Sequence, residues 1–209
     1  PEVLLHPGVG EDCSAVEAGE GEVLVFSVDP ITATEKGMGT FAVHVTANDL
    51  ASSGAEPVGI MTSIILPPRK REKYLRELMG EIEAACRELE IEIMGGHTEI
   101  SNVVNQPVVT VTGVGKVKKE KLVSTGGLQV GDDLVLTKWA GLEGTAIIAA
   151  QKREKLLETL PEELVDTAAD FYQYLSVVPE AKIAVETGVS AMHDVTEGGI
   201  FGALWEIGA

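Results

Sequence analysis

Between residues 70 and 90 the apolar side chains Leu75, Leu78, Met79, Ile82, Cys86 and Leu89 recur every three or four positions among charged ones, which predicts an amphipathic helix. Glu72 with Arg76 and Glu83 with Arg87 stand four residues apart and add to its support. The preceding chain has a different rhythm. Residues 14–16 and 23–28 are short runs that read as strands, the second buried and ending at Asp29, and residues 58–66 read as a strand stopped by Pro67 and Pro68. Residues 40–53 are small and apolar and read as a helix, with Gly54 in C-cap position and Asn48 and Asp49 in the last turns. Residues 91–94 form a short strand running into Gly95 and Gly96, and 108–117 a long β-branched strand.

A basic connector at 116–121 and the turn at Gly126 and Gly127 mark the expected boundary between a first domain, residues 1–121, and the start of a second, residues 122–209. In the second, 133–137 reads as a strand, two or three helices follow between 142 and 188, and 190–192 is a short strand delivering His193 and Asp194. Gly198 and Gly199 then open a helix carrying Ile200, Phe201, Leu204, Trp205 and Ile207. Strands alternate with long helices without a repeat period, so the class is α/β or α+β. The chain starts at Pro1 without Met and ends inside that apolar helix, so a fragment of a longer protein is expected.

Composition narrows the functions. An apolar fraction of 44% is enough for a real core, while 16 basic against 33 acidic residues give a net charge of -17. Such a field repels phosphate backbones and anionic lipid, so neither nucleic acid nor membrane is an expected partner. A polyanion such as ATP would bind only with local help from divalent cations and backbone N–H groups. Two cysteines without CxxC spacing imply free thiols and a cytoplasmic location. No apolar run approaches the roughly 20 residues of a bilayer span.

Five acidic segments lie beside turns or glycines: Gly10-Glu11-Asp12, Asp29 before Pro30, Asn48-Asp49, Gly95-Gly96-His97-Thr98-Glu99, and Asp194 to Gly199. Mg²⁺ takes carboxylate oxygens plus substrate phosphates, so convergence of these segments would make a magnesium-nucleotide site. Each also has a plainer reading. The Gly10 turn can be an ordinary turn, and Asp29 can open an Asp-Pro turn. Asn48 and Asp49, which helix interiors disfavour, need a metal or an internal hydrogen-bond network. His97 fits a metal ligand, a phosphate contact or a satisfied polar residue, and Glu99 a metal ligand or base. Residues 30–39 are a candidate lid, from which Lys36 would reach a phosphate or stay solvated. Thr196 either caps the last helix or, with Gly198 at its N-terminus, contacts an anion. Walker A, Rossmann and kinase motifs are missing.

Taken in order, Gly10-Glu11-Asp12-Cys13-Ser14-Ala15-Val16, Ser27-Val28-Asp29, the block Ala47-Asn48-Asp49-Leu50-Ala51-Ser52-Ser53-Gly54-Ala55-Glu56-Pro57, Gly95-Gly96-His97-Thr98-Glu99 and His193-Asp194-Val195-Thr196-Glu197-Gly198-Gly199 resemble the motifs of the AIR synthase (PurM-like) superfamily. That superfamily includes thiamine-monophosphate kinase, selenophosphate synthetase, formylglycinamidine ribonucleotide synthase and the hydrogenase maturation protein HypE. The resemblance implies an α+β fold: an N-terminal domain whose mixed sheet pairs with a second subunit into a dimeric barrel, hence a homodimer, and an incomplete α+β C-terminal domain behind it. It also implies ATP and Mg²⁺ in the cleft, with Asp12, Asp29, Asp49 and Asp194 on metal or nucleotide positions. With the reading from the residues themselves, the expected nucleotide contacts are Gly10, Asp12, Asp29, Lys36, Asn48, Gly95, Gly96, Thr98, Thr196 and Gly198, and the expected catalytic residues Asp49, Glu99 and His97. His97 departs from the Asp or Glu usual after the two glycines, which shifts that contact to Glu99.

Within the superfamily the Asn-Asp-Leu-Ala and His-Asp-Val-Thr-Glu-Gly-Gly blocks look most similar to the HypE-like, AIR-synthase-related branch. Such enzymes use ATP to turn an amide-type oxygen into a phosphate leaving group. HypE dehydrates a carbamoyl group on its C-terminal cysteine to a thiocyanate. A small-molecule or carbamoyl-type substrate and a maturation partner protein are therefore implied. The alternatives are AIR synthase or thiamine-monophosphate kinase proper, and a non-catalytic nucleotide-binding assembly protein. Selenophosphate synthetase is disfavoured, since no Cys-Gly-Lys-type loop stands near the start.

Overall fold

Every second side chain along β6 (Val108–Lys118) is buried, Val109, Val111 and Val117 among them, as a strand with helices on one face requires. The structure, a computed structural model, describes residues 2–32 and 36–209. β6 lies inside a six-stranded sheet of order β1-β2-β3-β6-β4-β5, completed by β1 (Val3–Leu5), β2 (Cys13–Gly19), β3 (Glu22–Ile31), β4 (Glu56–Leu66) and β5 (Glu92–Ile100). All neighbours are antiparallel except β4 and β5, which are parallel and joined by the crossover helix α2 (Glu72–Glu88). The fold is mixed α+β.

α1 (Met38–Ser52) and α2 cover one face of the sheet. Met38, Val43, Ile60, Ile64, Leu78, Ile82 and Val111 fill the core between them, each such side chain contributing roughly 1.5–3 kcal/mol on burial. The predicted ion pairs Arg76–Glu72 and Arg87–Glu83 form on the exposed side of α2. α1 has no side-chain cap of its own; the Gly39 N–H instead donates to Glu81 Oε2 of α2 at 2.9 Å. Gly113 of β6 lets α1 settle closely, because a Cβ there would stand 2.4 Å from Thr46 Cγ2 and 2.9 Å from Leu50 Cδ1. Among the described residues no helix covers the opposite face of the sheet, which exposes Leu24, Val28, Met61 and Met94.

Two strands outrun their expected ends. β3 continues past Asp29 through Pro30 to Ile31, because its pairing with β2 stops at Ser27 and a residue without an N–H breaks no bond on that open side. β5 continues through Gly95 and Gly96 to Ile100, pairing with β4 except at Met94, where the register shifts by one residue. The expected strands at 133–137 and 190–192 do not form: no described strand lies beside either segment to take up its backbone groups, and Val135 is 84% exposed.

After 3-10 turns at Lys119–Lys121 and Thr125–Gly127, the rest of the described chain is helical: α3 (Leu142–Gln151), α4 (Arg153–Leu157), α5 (Glu162–Ala169), a 3-10 turn Asp170–Tyr174, α6 (Val178–Thr187) and α7 (Gly199–Ile207). Ala146, Ala149, Val165, Leu175 and Ala181 are buried in this part. It is fastened to α1 by Phe41 against Tyr172, centroids 4.9 Å apart, and by Asn48, which donates to the Leu175 carbonyl at 2.9 Å and accepts from the Val177 N–H at 2.8 Å. Among the described residues no helix is long and apolar enough to cross a membrane.

Candidate functional site: a convergent carboxylate cluster

Four carboxylates from four separate segments meet on the helix-covered side of β3. Asp12 immediately precedes β2, Asp29 lies on β3, Asp49 on α1, and Asp194 in the segment before α7. The period of two along β3 places Ser27 and Asp29 on the same face, and Ser27 Oγ stands 2.5 Å from Asp49 Oδ2 and 3.2 Å from Asp29 Oδ2. A hydroxyl has one proton and cannot donate to both at once. A proton retained on Asp49 completes the set, and burial, with Asp194 and Asp29 nearby, pushes Asp49 up to about 10.

Asp194 is 7% exposed, and among the described residues neither carboxylate oxygen has a hydrogen-bond partner. Burial raises it to about 6, with Asp12 and Asp29 adding to the rise and His193 opposing it. Asp12 is also raised, first by burial, with Asp29, Glu206 and Glu11 adding and His193 opposing. His193 Nδ1 lies 3.4 Å from Asp12 Oδ2 and 3.9 Å from Asp194 Oδ1, while its Nε2 is 2.7 Å from Glu206 Oε2 on α7. Single ligand atoms of Asp12, His193 and Asp194 all fall within 4.8 Å of one another. A buried, unpartnered carboxylate beside like charges is costly unless a cation joins it, so the donor set fits a hard divalent ion.

The Gly10 turn is held in place. Its φ of 69° is in the left-handed region, and a Cβ there would stand 2.8 Å from Glu206 Cβ. Glu11 Oε1 accepts from the Thr125 N–H at 3.0 Å, tying this turn to the 125–127 turn. Gly198 takes the left-handed N-cap position of α7, and Thr196 makes no side-chain cap bond, its carbonyl instead accepting from the Gly199 N–H.

The other expected residues do not join the cluster within this chain. Asn48 points its amide at residues 175 and 177, so in this structure it makes the internal hydrogen-bond network that was the alternative to a metal contact. Lys36 Nζ donates to the Ala150 carbonyl at the end of α3. Of the expected lid, residues 33–35 lie outside the described residues. Gly95, Gly96, His97, Thr98 and Glu99 lie on edge strand β5, where His97 continues the row Pro30, Thr110, Ser63, three strand spacings or about 14 Å from β3. His97 and Glu99, 3.4 Å apart, are exposed on the helix-free face, opposite Asp49. The expected catalytic group of Asp49, Glu99 and His97 is thus not assembled within one copy, because the strand's alternation sends the odd positions of β5 to the far face.

Ser27, His193, Glu206 and Glu11 were not singled out as site residues by the sequence reading. Ser27 was legible as the i−2 neighbour of Asp29 on a strand, and His193 by adjacency to Asp194. Glu206 was the one charged residue on an apolar helix, and nothing in the sequence marked Glu11 as a tie to residue 125.

A six-stranded mixed sheet backed by two helices, with a carboxylate cluster on the helix-covered side of β3, defines a mixed α+β domain with a candidate cation site. Residues 10–117 match the N-terminal domain model of AIR synthase related proteins and residues 129–208 the C-terminal one, so the chain belongs to the AIR synthase related family. It is 31% identical to the carbamoyl dehydratase HypE of Cupriavidus necator, over 97% of this chain and 57% of that protein. It is 26% identical to the selenide, water dikinase of Carboxydothermus hydrogenoformans, over 99% of this chain and 58% of that protein. Among solved structures, HypE in complex with ATP superposes with a TM-score of 0.74 at 24% identity, covering 94% of this chain and 58% of that one. HypE in its complex with HypF gives 0.77 at 20%, covering 95% and 64%. The chain spans about three fifths of the length of the curated relatives it matches.

Proposed function

We propose that this chain is the ATP-binding part of an ATP- and Mg²⁺-dependent enzyme of the HypE-like branch, acting on a carbamoyl- or amide-type oxygen. The observation that carries this reading is the convergence of Asp12, Asp29, Asp49 and Asp194, with Asp194 buried and unpartnered. The relatives named carbamoyl dehydratase and the HypE–ATP structure support the choice of branch. In the reaction, the bond from ADP to the terminal phosphoryl group breaks as a bond to the substrate oxygen forms, and that oxygen later leaves as phosphate. Bound Mg²⁺ would neutralise phosphate charge and fix its position.

The residues do the rest. The four aspartates hold the cation, and Ser27 keeps Asp29 and Asp49 aligned. Gly10 and Gly198 keep the rim of the cleft free of side chains. Val28 and Met61 on the helix-free face support a homodimer formed through it, which would also bring His97 and Glu99 of one copy toward a second. The division into residues 1–121 and 122–209, and a maturation partner of the kind named in the HypE–HypF complex, belong to the same proposal.

Calorimetric titration with ATP tests the reading. Binding that requires Mg²⁺ and is lost in Asp49→Asn is expected; no binding to the folded protein refutes it. ADP release dependent on a carbamoyl-type substrate separates this reaction from those of AIR synthase and thiamine-monophosphate kinase, and ATP binding without turnover on any substrate identifies an assembly protein instead.

A further inference from the structure

His193 stands within reach of two aspartates and has its far nitrogen engaged. Glu206 Oε2 lies 2.7 Å from Nε2, and a carboxylate at that distance accepts a hydrogen bond, so Nε2 carries a proton and Nδ1 faces Asp12 and Asp194, where it would present its lone pair once a cation took the place of any proton there. A carboxylate behind an imidazole is the usual support of a metal-ligating histidine. The 3.4 Å gap from Nδ1 to Asp12 is long for a hydrogen bond to a carboxylate but falls within the about 3.0–3.5 Å at which ligands of one ion at about 2.1 Å stand, while the 3.9 Å gap to Asp194 would close by a few tenths of an ångström on binding. The imidazole itself is almost wholly buried, with 6% of its side chain exposed. Both Asp194 oxygens, buried and without a hydrogen bond among the described residues, complete the set.

We infer that His193 is a nitrogen ligand of the cation held by Asp12 and Asp194, so that this end of the cleft prefers a divalent ion of the first transition row to Mg²⁺. The inference deepens, and rests on, the reading of the cleft as a cation-nucleotide site. Mg²⁺ takes oxygen donors, whereas imidazole suits the later ions of the row and Mn²⁺ accepts either donor. Glu206 is a positioning residue: it orients the ring from α7 and touches no cation.

Mn²⁺ alone, added to the full 209-residue chain, tests the assignment. Electron spin-echo modulation from a directly bound nitrogen is expected in the wild type and is lost in His193→Gln. Competition with Mg²⁺ should give at least about a tenfold preference for Mn²⁺, collapsing in His193→Gln while the Mg²⁺ affinity barely changes. Glu206→Gln, which keeps every ligand, should weaken Mn²⁺ about tenfold, and it carries the test if the His193 variant does not fold. No nitrogen modulation in the wild type, an unchanged preference in a folded His193 variant, or unaltered Mn²⁺ affinity in a folded Glu206 variant overturns the inference. A parallel titration with Mg²⁺ and ATP keeps the two readings apart: ATP binding without the nitrogen signal removes only the ligand role of His193, and the nitrogen signal without ATP binding removes only the proposed function.

Discussion

Replacing Asp49 by Asn should stabilise the cation-free protein while abolishing its response to Mg²⁺ and ATP. Asp49 is buried, raised to about 10, and sits among other carboxylates, so the folded state keeps a proton that the unfolded chain releases near 3.8. In that window the folded form binds more protons than the unfolded one, so stability is fullest below 3.8 and falls as pH rises toward the folded value. One retained proton gives a slope of about 1.4 kcal/mol per pH unit, and Asp194, raised to about 6, adds to it only at the acidic end. At about 2–4 °C per kcal/mol for a chain of this size, raising the pH from 6.5 to 7.5 in EDTA should lower the wild-type Tm by about 3–6 °C. Asn keeps the shape and the Ser27 contact without the titration, so its Tm should change much less over the same range and exceed the wild-type value at pH 7.5. Differential scanning fluorimetry in EDTA, then in Mg²⁺ with ATP, reads both effects. An Asn variant with the wild-type pH slope, or one less stable than wild type in EDTA at pH 7.5, would refute the argument.

Three further outcomes follow from the geometry. Asn48→Ala removes one buried and one partly buried hydrogen bond to the segment around residue 176 and should cost about 2 kcal/mol, with faster amide exchange at Val177. Gly113→Ala places a methyl group against Thr46 and Leu50, so urea unfolding should show a loss of about 1–3 kcal/mol, together with weaker Mg²⁺ binding as α1 is pushed away from Ser27. Met61→Asp puts a charge on the exposed helix-free face and should shift the species seen by light scattering from dimer to monomer; an unchanged mass for the two proteins removes that face from the assembly.

The sequence revealed elements best where burial imposes a period. The stripe on α2 and the alternation on β6 were legible because one face of each is apolar, and the two glutamate–arginine pairs followed from helical spacing. The ends of β3 and β5 were not legible, since an Asp-Pro pair and two glycines are local stop signals that pairing with β6 and β4 overrides. Residues 133–137 and 190–192 have strand composition but no neighbouring strand, a tertiary condition that local pattern does not encode. The convergence of the four aspartates was legible because each sits beside a motif, whereas the placement of His97 and Asp49 on opposite faces of the sheet required knowing the register of each strand. Ser27, Glu11 and Glu206 act through contacts made across the fold, which no window of the sequence displays.

The site draws its last carboxylate from far down the chain, and this has a consequence for synthesis. The 145 residues separating Asp49 from Asp194 take about 7–30 s to translate at about 5–20 residues per second. Once Lys118 has been added, the sheet with α1 and α2 has its residues in hand, but the cluster still lacks Asp194, which lies buried in the folded chain. In the proposed cation site, ion capture would therefore wait until the second half docks, and a bound ion would act as a clasp between early and late parts of the chain.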